Sequence, residues 1–159
     1  MSTIKKFLNL IFIDGLSGMA LGLFSTLIIG TILKQAADLI GGDFGYYLGV
    51  FAVMAQRLTG AGIGIGVAYK YKSSTYVTLS AAAAGMIGAY ATAIISGSIL
   101  SDGALVYSVP GDPLSAFIAA LAGIAVGSLP AGKTKLDLLI TPAVTIIAGG
   151  AVGIIVGPP

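Results

Sequence analysis

The chain has 159 residues, 57% apolar and 9% charged, whereas a soluble domain is about 45–50% apolar and about 25% charged; so few charges cannot cover a water-facing surface, and the composition places the chain in a bilayer. With no Cys and no His, it can form no disulfide, thiolate or imidazole metal site, Cys or His nucleophile or phosphohistidine, and no cofactor is expected. Net charge is only +2, with eight scattered basic residues against six Asp, which leaves no basic patch for nucleic acid.

Residues 1–14 come first. Ile4, Phe7, Leu8, Ile11 and Phe12 recur at helical spacing beside Lys5, Lys6 and Asn9, the pattern of an amphipathic helix lying in the membrane interface. Asp14 interrupts this run early and strong hydrophobicity continues far downstream, which argues against a cleaved signal peptide. Apolar runs then cover 16–33, 44–68, 76–100, 114–129 and 138–156, and a helix needs about 20 residues to cross a core about 30 Å thick. The expected fold is all-α: one polytopic membrane domain over 1–159 with about five transmembrane helices, the second and fifth of them broken.

In the first run Gly15, Gly18, Gly22 and Ser25 follow three- and four-residue steps, a stripe that lets helix backbones approach closely. The second run carries Gln56 and Arg57 near its middle, about 18 Å from either end of a continuous helix. An Arg at that depth must face protein or water. Thr59 follows, then glycines at 60, 62, 64 and 66, residues that weaken a helix interior by up to about 1 kcal/mol each relative to Ala. Two readings stand. In one, 56–66 is not regular helix, and half-helices meeting near Arg57, Gly60 and Gly62 expose backbone groups to a midplane site. In the other, the helix is continuous, its glycines pack on a neighbour and Arg57 pairs with a carboxylate.

The loop after the fourth run contains Gly127-Ser128-Leu129-Pro130-Ala131-Gly132-Lys133-Thr134, which fits the phosphate-cradling P-loop pattern. Its position between two membrane runs, without a preceding strand, argues against nucleotide binding. In the last run Pro142 removes a backbone donor. A break there places the Thr141 and Thr145 hydroxyls on one face of a shared cavity, although such a kink also serves purely structural ends. Gly149, Gly153 and Gly157 close the run with two overlapping Gly-x-x-x-Gly steps. With Arg57, this stripe calls for protein neighbours and predicts a homodimer, unless it packs internally against the first span.

Lys5, Lys6, Lys70, Lys72, Lys133 and Lys135 all fall on one side of a five-span topology and only Lys34 on the other, so the N-terminus and these loops are expected in the cytoplasm. Tyr46 and Tyr47 mark the outer end of the second span; Tyr69, Tyr71 and Tyr76 mark the inner interface, and Pro159 is expected outside.

Three ordered stretches carry a resemblance: Gly18-Met19-Ala20-Leu21-Gly22-Leu23-Phe24-Ser25-Thr26; Gly111-Asp112-Pro113-Leu114-Ser115-Ala116-Phe117; and Gly132-Lys133-Thr134-Lys135-Leu136-Asp137 with Thr141-Pro142. The chain resembles the EIIC membrane proteins of the bacterial sugar phosphotransferase system over nearly its whole length. Members are longer, so it looks like an N-terminal half. The resemblance implies a permease subunit in the bacterial cytoplasmic membrane that passes a sugar or sugar phosphate, sits among membrane lipid and works with phosphocarrier subunits. The His and Glu pair of glucose-type permeases is absent, so phosphotransfer chemistry on this chain is unsupported. The residues expected to bind the solute are Gln56, Arg57, Thr59, Gly60, Gly62, Thr141 and Thr145. A membrane scaffold or sensor that keeps the permease fold without transporting is the alternative.

Overall fold

The computed structural model describes residues 2–106 and 111–157. Its first helix, α1 (Ser2–Ile40), runs for 39 residues, about 58 Å at the α-helical rise. The expected boundary between an interfacial helix over 1–14 and a span over 16–33 is not there: Asn9, Gly15 and Leu16 all keep right-handed helical dihedrals. No proline interrupts this stretch, and Gly15 is backed by Tyr71 and Phe117 from the bundle. Two segments of α1, Leu10–Gly15 and Phe24–Ile28, are wound as π-helix. Widened turns open the hydrogen-bond ladder to side-chain donors. Tyr71 Oη accordingly donates to the Leu10 carbonyl at 2.8 Å, and Thr26 Oγ1 donates to the Gly22 carbonyl at 2.7 Å.

Gly41 and Gly42, at φ +66° and +64°, turn the chain into α2 (Gly42–Arg57). This helix runs back antiparallel along the end of α1, with Gly45 against the Ala37 carbonyl and Gly30 against Ala52 and Gln56. After the single residue Leu58 the chain bends by 54° into α3 (Thr59–Lys70). The second run is therefore broken, but more narrowly than the glycines suggest: all four of them lie in regular helix.

The reason is a division of faces. Residues four apart share a helix face, so Gly62 and Gly66 form one stripe and Gly60 and Gly64 another, on nearly opposite sides. Gly62 and Gly66 meet Gly22 and Gly18 of α1, where a Cβ on Gly18 would lie 2.6 Å from Val67 Cα. Gly60 and Gly64 meet Gly85 and Ala81 of the next helix, α4 (Thr75–Ala89), where a Cβ on Gly60 would lie 2.7 Å from the Gly85 carbonyl oxygen. α3 is thus clamped backbone-to-backbone between α1 and α4. Dispersion and close packing across two seams outweigh the poor helix propensity of glycine, because lipid supplies no hydrophobic drive that bulkier side chains would exploit.

The third apolar run, expected as one span over 76–100, stops at Ala89. Tyr90 breaks it, α5 (Ala91–Ser96) ends at Gly97, and an antiparallel hairpin of β1 (Leu100–Ser101) and β2 (Ala104–Leu105) follows. The two-residue turn of that hairpin is Asp102-Gly103, both at positive φ, the signature of a tight β-turn. α6 (Pro113–Gly127) starts at an Asp112 N-cap with proline in its first turn, and α7 (Asp137–Val156) completes the bundle.

α7 is one helix and is not broken at Pro142. Proline at its sixth position removes only the bond to the Leu138 carbonyl. Side chains knit the same turns: Thr141 Oγ1 donates to the Asp137 carboxylate and Thr145 Oγ1 to the Thr141 carbonyl, the latter at 2.8 Å. The glycine stripe of α7 is not an outward face either. Gly149 and Gly153 are buried against Ala84 and Gly88 of α4 and Ala119 of α6, so the stripe packs inside the chain, on α4 and α6 instead of α1 or a second copy.

Ile63, Val67, Val77, Ala81, Phe117 and Ile124 form the centre of the core, between α3, α4 and α6. Among the described residues, α1 and α7 are long and apolar enough to cross a bilayer, and the bent pair α2–α3 is a third candidate when counted as one span. α4 and α6 are apolar but have 15 residues each, about 22 Å. Both fall short of the roughly 20 residues of a full crossing, so the described residues offer two to three candidate spans where five were expected.

Candidate functional site

The structure gathers its chain interruptions at one level. Arg57 ends α2, Leu58 leaves the helical region at ψ 9°, and Thr59, 1% exposed, donates its hydroxyl to the Gln56 carbonyl at 2.6 Å. The second interruption lies alongside: Tyr90 Oη donates to the Arg57 carbonyl at 3.4 Å. One residue earlier, the Ala89 carbonyl accepts the Asp112 N–H at 2.8 Å, which holds the start of α6 against the end of α4. The Asp112 carboxylate accepts the Leu114 N–H at 3.1 Å and the Ser115 hydroxyl; Ser115 Oγ also lies 2.9 Å from the Gly157 carbonyl at the end of α7. From this junction α3 reaches about 18 Å to its far end and α4 and α6 about 22 Å, and α7 runs its full length before meeting it at Gly157.

On the α1–α2 side the junction opens into a cavity of about 650 Å³, walled by Lys34 and Asp38 from α1 and by Gly45, Gly49, Val53 and Arg57 from α2. Lys34 Nζ pairs with Asp38 Oδ1 at 3.4 Å across one helical turn. Arg57 is exposed and makes no ion pair among the described residues. Gln56 is turned away, its amide donating to Thr31 Oγ1 at 3.1 Å.

Of the seven residues singled out from the sequence, Gln56, Arg57, Thr59 and Gly60 lie together at the junction, and Gly62 lies just below on the α1 seam. Thr141 and Thr145 are not brought to them. Both are fully buried, and Thr141 lies about 24 Å along α7 from Gly157, near the far end of the bundle. Sequence reasoning missed Tyr90, Asp112 and Ser115 as parts of the junction. Asp-Pro-x-Ser is a readable helix-start signal, whereas nothing local marks Tyr90 as the link to Arg57.

At the opposite end, a cavity of about 430 Å³ is lined by Tyr71, Lys72, Ser73, Ser74 and Ser128. Burial pushes the Tyr71 hydroxyl above its ordinary pKa and the nearby Asp14 carboxylate adds to this. The P-loop-like stretch lies close by. Helix α6 precedes it in place of a strand, and the Gly132 N–H donates to the Asp137 carboxylate at 3.0 Å, so the stretch is an inter-helix turn held by its own acid.

A family model described as Phosphotransferase system, EIIC, matches residues 13–159. The chain belongs to this family. No curated protein and no solved structure matches it. EIIC proteins are the membrane-embedded, sugar-binding part of a phosphotransferase system and have a permease-type role. The apolar helices fit that role.

Proposed function

We propose that this EIIC chain binds a sugar or sugar phosphate at the junction and passes it across the bacterial cytoplasmic membrane, with Arg57 facing the solute from the cavity wall and Gln56, Thr59 and Gly60 holding the helix break behind it. The observation that supports this reading is the one-residue break at Leu58, whose 54° bend leaves Arg57 on the wall of an open cavity at the level of the junction. A broken helix at that level turns backbone and side-chain polar groups toward a ligand, the arrangement of transporter sites. Gly62, Thr141 and Thr145 serve packing in this reading. The N-terminus and the loops holding Lys70, Lys72, Lys133 and Lys135 face the cytoplasm, where phosphocarrier subunits dock.

The test is thermal stability of the detergent-solubilised protein against a panel of sugars and sugar phosphates. Stabilisation by at least one member, lost in Arg57→Ala, is expected. A folded sample that no member stabilises would point instead to a scaffold or sensor. Orientation is checked by single-Cys labelling, which has no native Cys to confuse it. A Cys at Ser73 is expected to be protected from external reagent, and labelling there from outside would overturn the orientation; Ser108, the matching external position, lies outside the described residues.

A further inference from the structure

The charge count of the groove goes further than the solute-site reading, and rests on it for the location of the site. Two cations and one acid wall the cavity: Lys34, Arg57 and Asp38. The first and last neutralise each other at 3.4 Å, which leaves Arg57 as surplus positive charge. None of the other five acids supplies the balance. Asp43 stands at the opposite end of α2, about 21 Å along the helix. Asp112 belongs to the junction, but its carboxylate is taken by the Leu114 N–H and the Ser115 hydroxyl. Asp137 holds Gly132 and Thr141 at the start of α7, Asp14 lies beside Tyr71, and Asp102 is in the turn of the β-hairpin.

A guanidinium on the wall of a largely apolar groove without a counter-charge is costly, and hydroxyl groups of a neutral sugar do not remove that cost. A carboxylate or phosphate does, and matches the guanidinium fork with two parallel hydrogen bonds. Space for the rest of such a ligand exists because the α2 wall carries Gly49 about 12 Å along the helix from Arg57, where the missing side chain leaves the groove open.

We propose that the ligand of this groove is an oxyanion, a molecule that presents phosphate or carboxylate to Arg57. A soluble sugar phosphate or sugar acid supplies that chemistry, and so does the headgroup of an anionic phospholipid. Neutral polar solutes are discriminated against.

The experiment measures binding to the full chain in detergent with glucose 6-phosphate, gluconate and glucose, and thermal stability in nanodiscs of phosphatidylcholine with and without phosphatidylglycerol. The two anionic solutes are expected to bind and glucose not to. Arg57→Gln should weaken the anionic ligands by about 10–100-fold, the range for a hydrogen-bonded charged partner, and Arg57→Lys should keep part of the affinity. Gly49→Leu fills the groove without touching its charges; a Cβ there has only the Ala37 Cβ at 3.7 Å. It should abolish binding in a chain that still folds, which covers the case in which Arg57→Gln does not. If glucose binds as tightly as its phosphate and Arg57→Gln weakens both alike, the oxyanion inference is overturned while the solute-site reading stands. Stabilisation by phosphatidylglycerol alone, lost in Arg57→Gln, supports the oxyanion and assigns it to lipid, overturning the solute reading. No effect of any probe on the folded chain overturns both.

Discussion

Gly22 of α1 and Gly62 of α3 touch through their backbones: a Cβ added to Gly22 would overlap the Gly62 carbonyl group. The seam has no slack, since backbone cannot swing away as a side chain does. Gly22→Leu is expected to destabilise the solubilised protein by at least about 1–3 kcal/mol, the range for overpacking. Gly49→Leu, at a site with open space, should lower the melting temperature far less. Equal losses for the two variants, read by thermal unfolding in detergent, would refute the seam.

Asp112 both caps α6 and ties it to α4. Asp112→Ala removes the acceptor of the Leu114 N–H and of the Ser115 hydroxyl, for an expected loss of about 0.5–2 kcal/mol from the cap. Asp112→Asn keeps an oxygen acceptor and should recover most of it. A thermal melt that ranks Asn no better than Ala would show that the cap is not what Asp112 contributes.

The bond from Tyr71 to Leu10 joins positions 61 apart and holds the first π-helical segment of α1 to the bundle. Tyr71→Phe should cost about 0.5–1.5 kcal/mol. Because the folded pKa lies above the ordinary value of 10.0, the folded chain keeps a proton that the unfolded chain gives up. This contribution is fully present below that value and declines as pH rises through it toward the folded pKa. Melting temperature followed into alkaline pH should therefore fall more steeply for the wild type than for Tyr71→Phe, and parallel curves would contradict the assignment.

Gly153 sits against Ala119 Cβ and Gly88 Cα at 2.9 and 3.0 Å from an ideal Cβ. Gly153→Leu is expected to reduce the yield of folded protein, since the stripe is internal. A well-folded variant that merely changes from dimer to monomer in detergent would restore the stripe as an interface between copies.

The later helices were readable because their limits are chemical: Asp112-Pro113 opens α6, and the apolar run over 138–156 nearly coincides with α7. The break in the second run was readable from Arg57, a residue that an ordinary lipid-facing helix does not carry. Its extent was misjudged from propensity, since alternate glycines weaken an isolated helix but supply two opposite seams to a clamped one. Asp102-Gly103 carried a plain hairpin signal that the preceding apolar run over 76–100 overshadowed. Other features have no local trace. The continuity of α1 past Asp14 is supported by Tyr71, and the junction depends on the contact between Tyr90 and Arg57; both are long-range pairings. Thr141 and Thr145 were placed at the site because they are polar in an apolar run, yet each is satisfied within its own helix, a fate open to any hydroxyl four residues from a carbonyl.

The unbroken course of α1 has a mechanical side. From Gly22, where the helix is gripped, to Ile40, where it turns into α2, there are 18 residues, so a stiff arm of about 27 Å stands beyond the fulcrum. Tilting such a lever by about 10° displaces its tip by about 5 Å, roughly one helical turn, while the gripped glycines shift by a fraction of that. Because α2 is folded back along this arm and Arg57 sits at the base of α2, a small rotation at the grip would be amplified at the far tip and would barely move the guanidinium.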